Sequence, residues 1–120
     1  MFLLKTRIST PRWRECKTFY ESVFGMKVAE EWDNPGDRGA ILAFANGKQE
    51  AFLELYEVTQ EHDLAGLSLQ FKTPSTSEFL ASLPRSIPYD GPVSRPWGST
   101  YLYLRDPAGT LVVVFEGDGL

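Results

Sequence analysis

Few side chains in this 120-residue chain can carry covalent chemistry. There is one cysteine, Cys16, and one histidine, His62. A single cysteine forms neither an intrachain disulfide nor a cysteine-based zinc site. A serine nucleophile needs a base beside it, and His62 lies in a polar stretch, Gln60 to Ala65, where a lone histidine reads as a solvated surface residue. The glycines near Gly91 and Gly98 mark turns rather than a phosphate-binding loop. What remains is a period-two arrangement of charged and aromatic residues. Lys5, Arg7 and Ser9 alternate with Leu4 and Ile8, and Phe52, Glu54 and Tyr56 with Leu53 and Leu55. Ser68, Gln70 and Lys72 alternate with Leu69 and Phe71, Tyr101 and Tyr103 with Leu102 and Leu104, and Leu111, Val113 and Phe115 with Val112 and Val114. Alternation sends each set to opposite faces of a strand. One face is uniformly apolar, as a helix-covered core should be. The other offers a carboxylate, two cations and several aromatic rings. That mixture suits a flat organic ligand, with Lys5 and Arg7 able to hold a carboxylate or phosphate. Glu54 and Tyr103 are the acid–base candidates if the chain is an enzyme. Two plainer readings stand beside these: Lys5 or Arg7 pairs with Glu54 structurally, and the tyrosines with Trp97 form a dimer interface.

The elements that must position these residues follow from the chain. Phe2 to Ser9 reads as a strand. Thr10 is a candidate helix N-cap with Pro11 as the first helical residue. Trp13, Cys16, Phe19, Tyr20, Val23 and Phe24 then make one apolar helical stripe, and Gly25 stands where a C-cap glycine belongs. Met26 to Trp32, Gly39 to Ala45 and Ala51 to Val58 are strands joined by turns at 34–37 and at Asn46-Gly47. In the second half Leu67 to Lys72 is a strand. Ser75 and Glu78 spell a capping box for a shorter helix that Pro84 stops. Tyr89 to Ser94 is a weak strand, and Ser99 to Arg105 with Thr110 to Glu116 are strong ones around the turn at 106–109.

Both halves therefore run strand, helix, strand, strand, strand, and the match is in register. Leu4 through Pro11 corresponds to Leu67 through Pro74, and Ile41 through Glu57 resembles Tyr101 through Glu116. An internal repeat explains this better than an unrepeated ferredoxin-like sandwich. The expected fold is α+β: two tandem βαβββ units (1–58 and 66–117, linker 59–65) in one domain. One helix covers one face of each sheet, so the free faces are expected to curl into a cup-shaped mixed sheet with the helices outside. Composition agrees with a globular domain, with 42% apolar and 23% charged residues. A net charge of −4 argues against nucleic acid as a partner. Apolar runs are too short for a membrane span or a signal peptide, so a cytoplasmic protein is the default expectation.

Two motifs add a family. Phe19 to Val28 resembles the helix-end motif of the vicinal oxygen chelate superfamily, which includes glyoxalase I, fosfomycin-resistance enzymes, extradiol dioxygenases and bleomycin-resistance proteins. Pro96-Trp97-Gly98 followed by Leu104 to Val112 is similar to its C-terminal signature. The resemblance covers essentially the whole chain and implies the paired fold just derived, usually as a homodimer. Metal-using members carry ligands at places that correspond here to Lys5, Glu54, Ser68 and Val113. Only Glu54 suits a divalent cation. The resemblance is therefore to the metal-lacking, bleomycin-resistance-like branch, with no metal and no cofactor expected.

Placing Glu54 and Val113 on the inner face makes Lys5, Arg7, Phe52, Glu54, Tyr56, Ser68, Gln70, Tyr101, Tyr103 and Val113 the candidate ligand-binding residues, with Trp97 as a wall. The expected function is metal-independent binding of an aromatic or amphipathic small molecule such as an antibiotic. The alternatives are a glyoxalase- or dioxygenase-like lyase or isomerase with an atypical site centred on Glu54, and an accessory module that binds another protein.

Overall fold

The structure is a computed structural model that describes residues 1–48 and 50–120. Its elements run β1 (Lys5–Ser9), α1 (Trp13–Phe24), β2 (Lys27–Asn34), β3 (Asp37–Ala43), β4 (Phe52–Tyr56), β5 (Ser68–Lys72), α2 (Thr76–Ser82), β6 (Asp90–Ser94), β7 (Thr100–Arg105) and β8 (Leu111–Glu116). This is the predicted pair of βαβββ units. The chain divides into two compact units, Met1–His62 and Asp63–Leu120.

In the first unit the strand order is β1-β4-β3-β2, with β1 parallel to β4 and the other pairs antiparallel. The registers Ile8↔Leu55↔Ala40 and Leu53↔Leu42 line up one apolar face. Helix α1 lies on that face through Trp13, Cys16, Phe19, Tyr20 and Val23, all buried. A single stripe of large side chains at helical spacing drives this packing. Gly25 ends α1 in the left-handed region at φ 65°, and its N–H bonds the Glu21 carbonyl at 3.0 Å.

The second unit repeats the plan with order β5-β8-β7-β6. Its helix is shorter, and among its residues only Thr76 is buried. Ser75 Oγ accepts the Glu78 N–H at 3.1 Å, which makes the expected N-cap bond. Strand β6 is irregular between Asp90 and Val93, where the Gly91–Pro92 peptide is cis.

The aligned glutamates Glu57 and Glu116 make corresponding bonds that the sequence did not reveal. Glu57, just after β4, accepts the indole N–H of Trp13, the first residue of α1, at 3.2 Å. Glu116, which ends β8, accepts both the backbone N–H (3.0 Å) and the hydroxyl of Thr76, the first residue of α2. The Thr76 hydroxyl and N–H hold the Glu116 carboxyl below its usual range.

Two expectations about the start of the chain are corrected. Leu4 is not a core residue; it is 80% exposed and precedes β1. Thr10 does not cap α1. Arg12 occupies the cap position without a side-chain bond, and Thr10 Oγ1 instead accepts the Arg12 N–H at 3.1 Å. Among the described residues no helix is long and apolar enough to cross a membrane.

Candidate functional site

The face of the first sheet opposite α1 carries the side chains singled out by alternation. Register places Arg7, Glu54, Ile41 and Glu30 in one row across four strands, with Lys5 and Phe52 in the next. Glu54 is the buried member, its side chain only 8% exposed. Lys5 Nζ lies 2.7 Å from its Oε1 and Arg7 Nε 3.4 Å from its Oε2. Two cations therefore answer one carboxylate, one at each oxygen. A buried carboxylate demands such compensation because its ionised form loses hydration.

Arg7 does more than pair. Its guanidinium carbon lies 3.7 Å from the centroid of the Tyr56 ring, a cation–π contact. Tyr56 also approaches Trp32, with ring centroids 6.4 Å apart. Asp37 ties the two rings together. It accepts the Trp32 indole N–H at 3.0 Å, and its hydrogen bond with Tyr56 is the main reason that phenol's pKa is raised. Loss of solvent acts in the same direction, and Arg7 opposes both. Gly39, buried and opposite both Trp32 and Tyr56 in the register, leaves room for the indole. A Cβ there would stand 2.8 Å from the Trp32 ring and 2.6 Å from the Leu55 carbonyl oxygen.

Trp32 and Asp37 were missed by the reading of the sequence. Its face assignment covered the strands bearing Lys5 and Glu54 and left β2 and β3 without a phase. The signal was present: a two-residue turn at Pro35-Gly36 pairs Asn34 with Asp37 and so sets Trp32 against a glycine.

In the second unit the corresponding face is more apolar. Val113 is 4% exposed and Phe115 is also buried. Tyr101 stacks on Phe115 with centroids 6.0 Å apart, and the Trp97 indole N–H donates to the Tyr101 hydroxyl at 3.3 Å. Trp97 itself is 68% exposed. Gln70 donates to Ser68 Oγ at 3.4 Å, which spends that pair's polarity locally. Tyr103 sits apart from this aromatic run, in a pocket of about 340 Å³ with Tyr89, Asp90, Arg105 and Leu111. His62 is exposed.

A metal cage of the kind that metal-using members of the resembled family carry does not fit these residues. Both Glu54 oxygens face cations. Among the described residues no group of three or more His, Cys, Asp or Glu side chains could hold a metal ion.

The family model for the glyoxalase/bleomycin resistance protein/dioxygenase superfamily matches residues 3–114. The chain belongs to this superfamily. Among solved structures, the antibiotic binding protein TnmS3 from Streptomyces sp. CB03234 is similar at a TM-score of 0.79 and 19% identity, covering 98% of this chain and 97% of that one. The fosfomycin resistance protein FosX from Listeria monocytogenes gives 0.79 at 10% identity, covering 97% and 93%. A lactoylglutathione lyase from Agrobacterium tumefaciens gives 0.71 at 21% identity, covering 96% and 92%. At these identities the likeness is one of fold. No curated protein matches the chain.

Proposed function

We propose that this superfamily member binds a small aromatic or amphipathic molecule, such as an antibiotic, without a metal and without turning it over. The observation that carries this reading is the state of Glu54. Its two oxygens are held by Lys5 and Arg7, at 2.7 and 3.4 Å, and the groups beside them are aromatic. A carboxylate so engaged suits neither metal ligation nor proton abstraction, and the surrounding rings suit a flat ligand. On the first unit the binding residues are Lys5, Arg7, Phe52, Glu54 and Tyr56, joined by Trp32. On the second they are Ser68, Gln70, Trp97, Tyr101, Tyr103 and Val113. Two structural neighbours, an antibiotic binding protein and a fosfomycin resistance protein, support the ligand class. The superfamily resemblance further supports a homodimer, which sedimentation of the purified protein tests, and a cytoplasmic location stays the expectation drawn from the short apolar runs.

The deciding experiment has two arms. Thermal shift against a panel of antibiotics and aromatic metabolites should give stabilising hits recovered chemically unchanged. Elemental analysis of the purified protein should find less than stoichiometric divalent metal. Stoichiometric metal, or a hit converted to product, would return the chain to the lyase or isomerase alternative centred on Glu54.

A further inference from the structure

A groove of about 270 Å³ runs across the first sheet on the face opposite α1, lined by Leu3, Lys5, Ala29, Glu30, Ile41 and Phe52. Its charges are arranged by strand order. Lys5 lies on edge strand β1 and Glu30 on the opposite edge strand β2, while Ile41 and Phe52, on the two central strands, form the floor. Three interstrand steps of roughly 4.8 Å put about 14 Å between the two edge strands. Both charged residues line the one groove, at opposite rims of an apolar floor.

The two rims are also chemically available. Glu30 is exposed and makes no salt bridge among the described residues. Lys27, the one cation on β2, lines a different surface groove with Glu21 and Gly25 and forms no ion pair with Glu30. The Lys5 ammonium gives one direction to Glu54 and is 41% exposed, so it keeps donors for a second acceptor. Next to it Arg7, 47% exposed, places its Nε 3.4 Å from Glu54. A cation pair sharing one carboxylate leaves one positive charge over.

We propose that this groove selects a bipolar ligand: an anionic group at Lys5 and Arg7, a flat apolar body over Ile41 and Phe52, and a cationic group at Glu30. The proposal rests on the small-molecule reading above and narrows its ligand class. A purely anionic or purely cationic aromatic compound satisfies one rim and leaves the other charge unanswered.

Isothermal titration calorimetry with three rigid probes tests it. 4′-(Aminomethyl)biphenyl-4-carboxylic acid carries both charges at opposite ends of a two-ring body. Biphenyl-4-carboxylate lacks the cation, and 4-(aminomethyl)biphenyl lacks the anion. The bipolar probe should bind about fivefold more tightly than either analogue, the worth of one partly exposed ion pair. Glu30→Gln should remove its advantage over biphenyl-4-carboxylate and leave the affinity for that analogue unchanged. Lys5→Gln, checked for folding by circular dichroism, should remove its advantage over the amine. Equal binding of all three probes, or no effect of Glu30→Gln, overturns the proposal. Failure of all three to bind also overturns it, and antibiotic hits in the thermal-shift panel would then leave the broader binding reading standing.

Discussion

The Lys5–Glu54–Arg7 cluster makes an asymmetric prediction about stability. At 2.7 Å and an effective dielectric constant of about 20, the Lys5–Glu54 attraction is roughly 6 kcal/mol before desolvation. Lys5 is 41% and Arg7 47% exposed, however, so water screens both and each pair nets on the order of 1 kcal/mol. The cost of breaking the cluster therefore depends on which side is removed. In Glu54→Gln the cations turn out to water, and the loss is about 1–2 kcal/mol of charge-assisted bonding. In Lys5→Met/Arg7→Met the carboxylate stays buried with no counter-charge, which costs about 3 kcal/mol or more. The triple variant Lys5→Met/Arg7→Met/Glu54→Leu removes the stranded charge and recovers most of that loss.

Urea unfolding followed by circular dichroism reads the series. With a slope of roughly 1.5 kcal/mol per molar, the double cation variant should unfold about 2 M earlier than wild type, and Glu54→Gln about 1 M earlier. If Glu54→Gln costs as much as the double variant, or if the triple variant fails to recover, Glu54 is not a carboxylate that depends on these two cations.

Three further outcomes follow from the same geometry. Glu116 titrates below its ordinary 4.5 in the folded state, so its contribution is present above pH 4.5 and is lost as pH falls through the lower folded value; acid unfolding of Glu116→Gln should therefore be flatter over that range. The Tyr56 phenol holds its proton above its ordinary 10.0, so that contribution is present below pH 10.0 and lost as pH rises through the folded value; Asp37→Asn should move the ultraviolet phenolate transition of Tyr56 down in pH. Gly39→Ala places a Cβ 2.6 Å from a backbone oxygen and 2.8 Å from Trp32, and should cost about 1–3 kcal/mol and shift the tryptophan emission, as read by urea unfolding and fluorescence.

The repeat, the order of elements along the chain and helix α1 were legible because each rests on local chemistry repeated many times. Six apolar residues at helical spacing and a terminal glycine leave α1 little freedom. Alternation likewise divided the faces of β1 and β4, and the ion pairs of Glu54 with Lys5 and Arg7 follow from that division. The boundary of β1 was not legible, because a strand extends only where a partner meets it. Strand β4 begins at Phe52, opposite Lys5, and the apolar residues Phe2 to Leu4 have no partner in that ladder. The Thr10 cap failed for a related reason: its hydroxyl serves the turn at Arg12, the residue just before helical geometry begins. The Trp32–Asp37–Tyr56 group depends on a hairpin register and on an absent side chain at Gly39. Motif reading passes over glycine opposite tryptophan, although that pairing frees the space the indole occupies.

The two units keep one device and differ in another. Each uses a glutamate at the end of its last strand to hold the first residue of its helix, Glu57 on Trp13 and Glu116 on Thr76. The donors differ, an indole in one and a hydroxyl with an N–H in the other, yet the placement is the same, which marks a constraint on the fold. On the opposite face the corresponding positions diverge: Glu54 with its two cations in the first unit, Val113 beside an aromatic stack in the second. A helix-to-sheet clamp must survive in every copy because each helix covers its own sheet. The face opposite the helix carries no such duty and is free to specialise. The charged, groove-bearing face of the first unit and the aromatic face of the second are therefore where ligand choice should reside. Exchanging Glu54 for Val and Val113 for Glu tests that division directly. The exchange strands Lys5 and Arg7 without their carboxylate and buries a new one in the second unit. It should abolish binding of any hit that depends on Lys5, whereas a hit bound equally well by the exchanged protein would show that these faces do not choose the ligand.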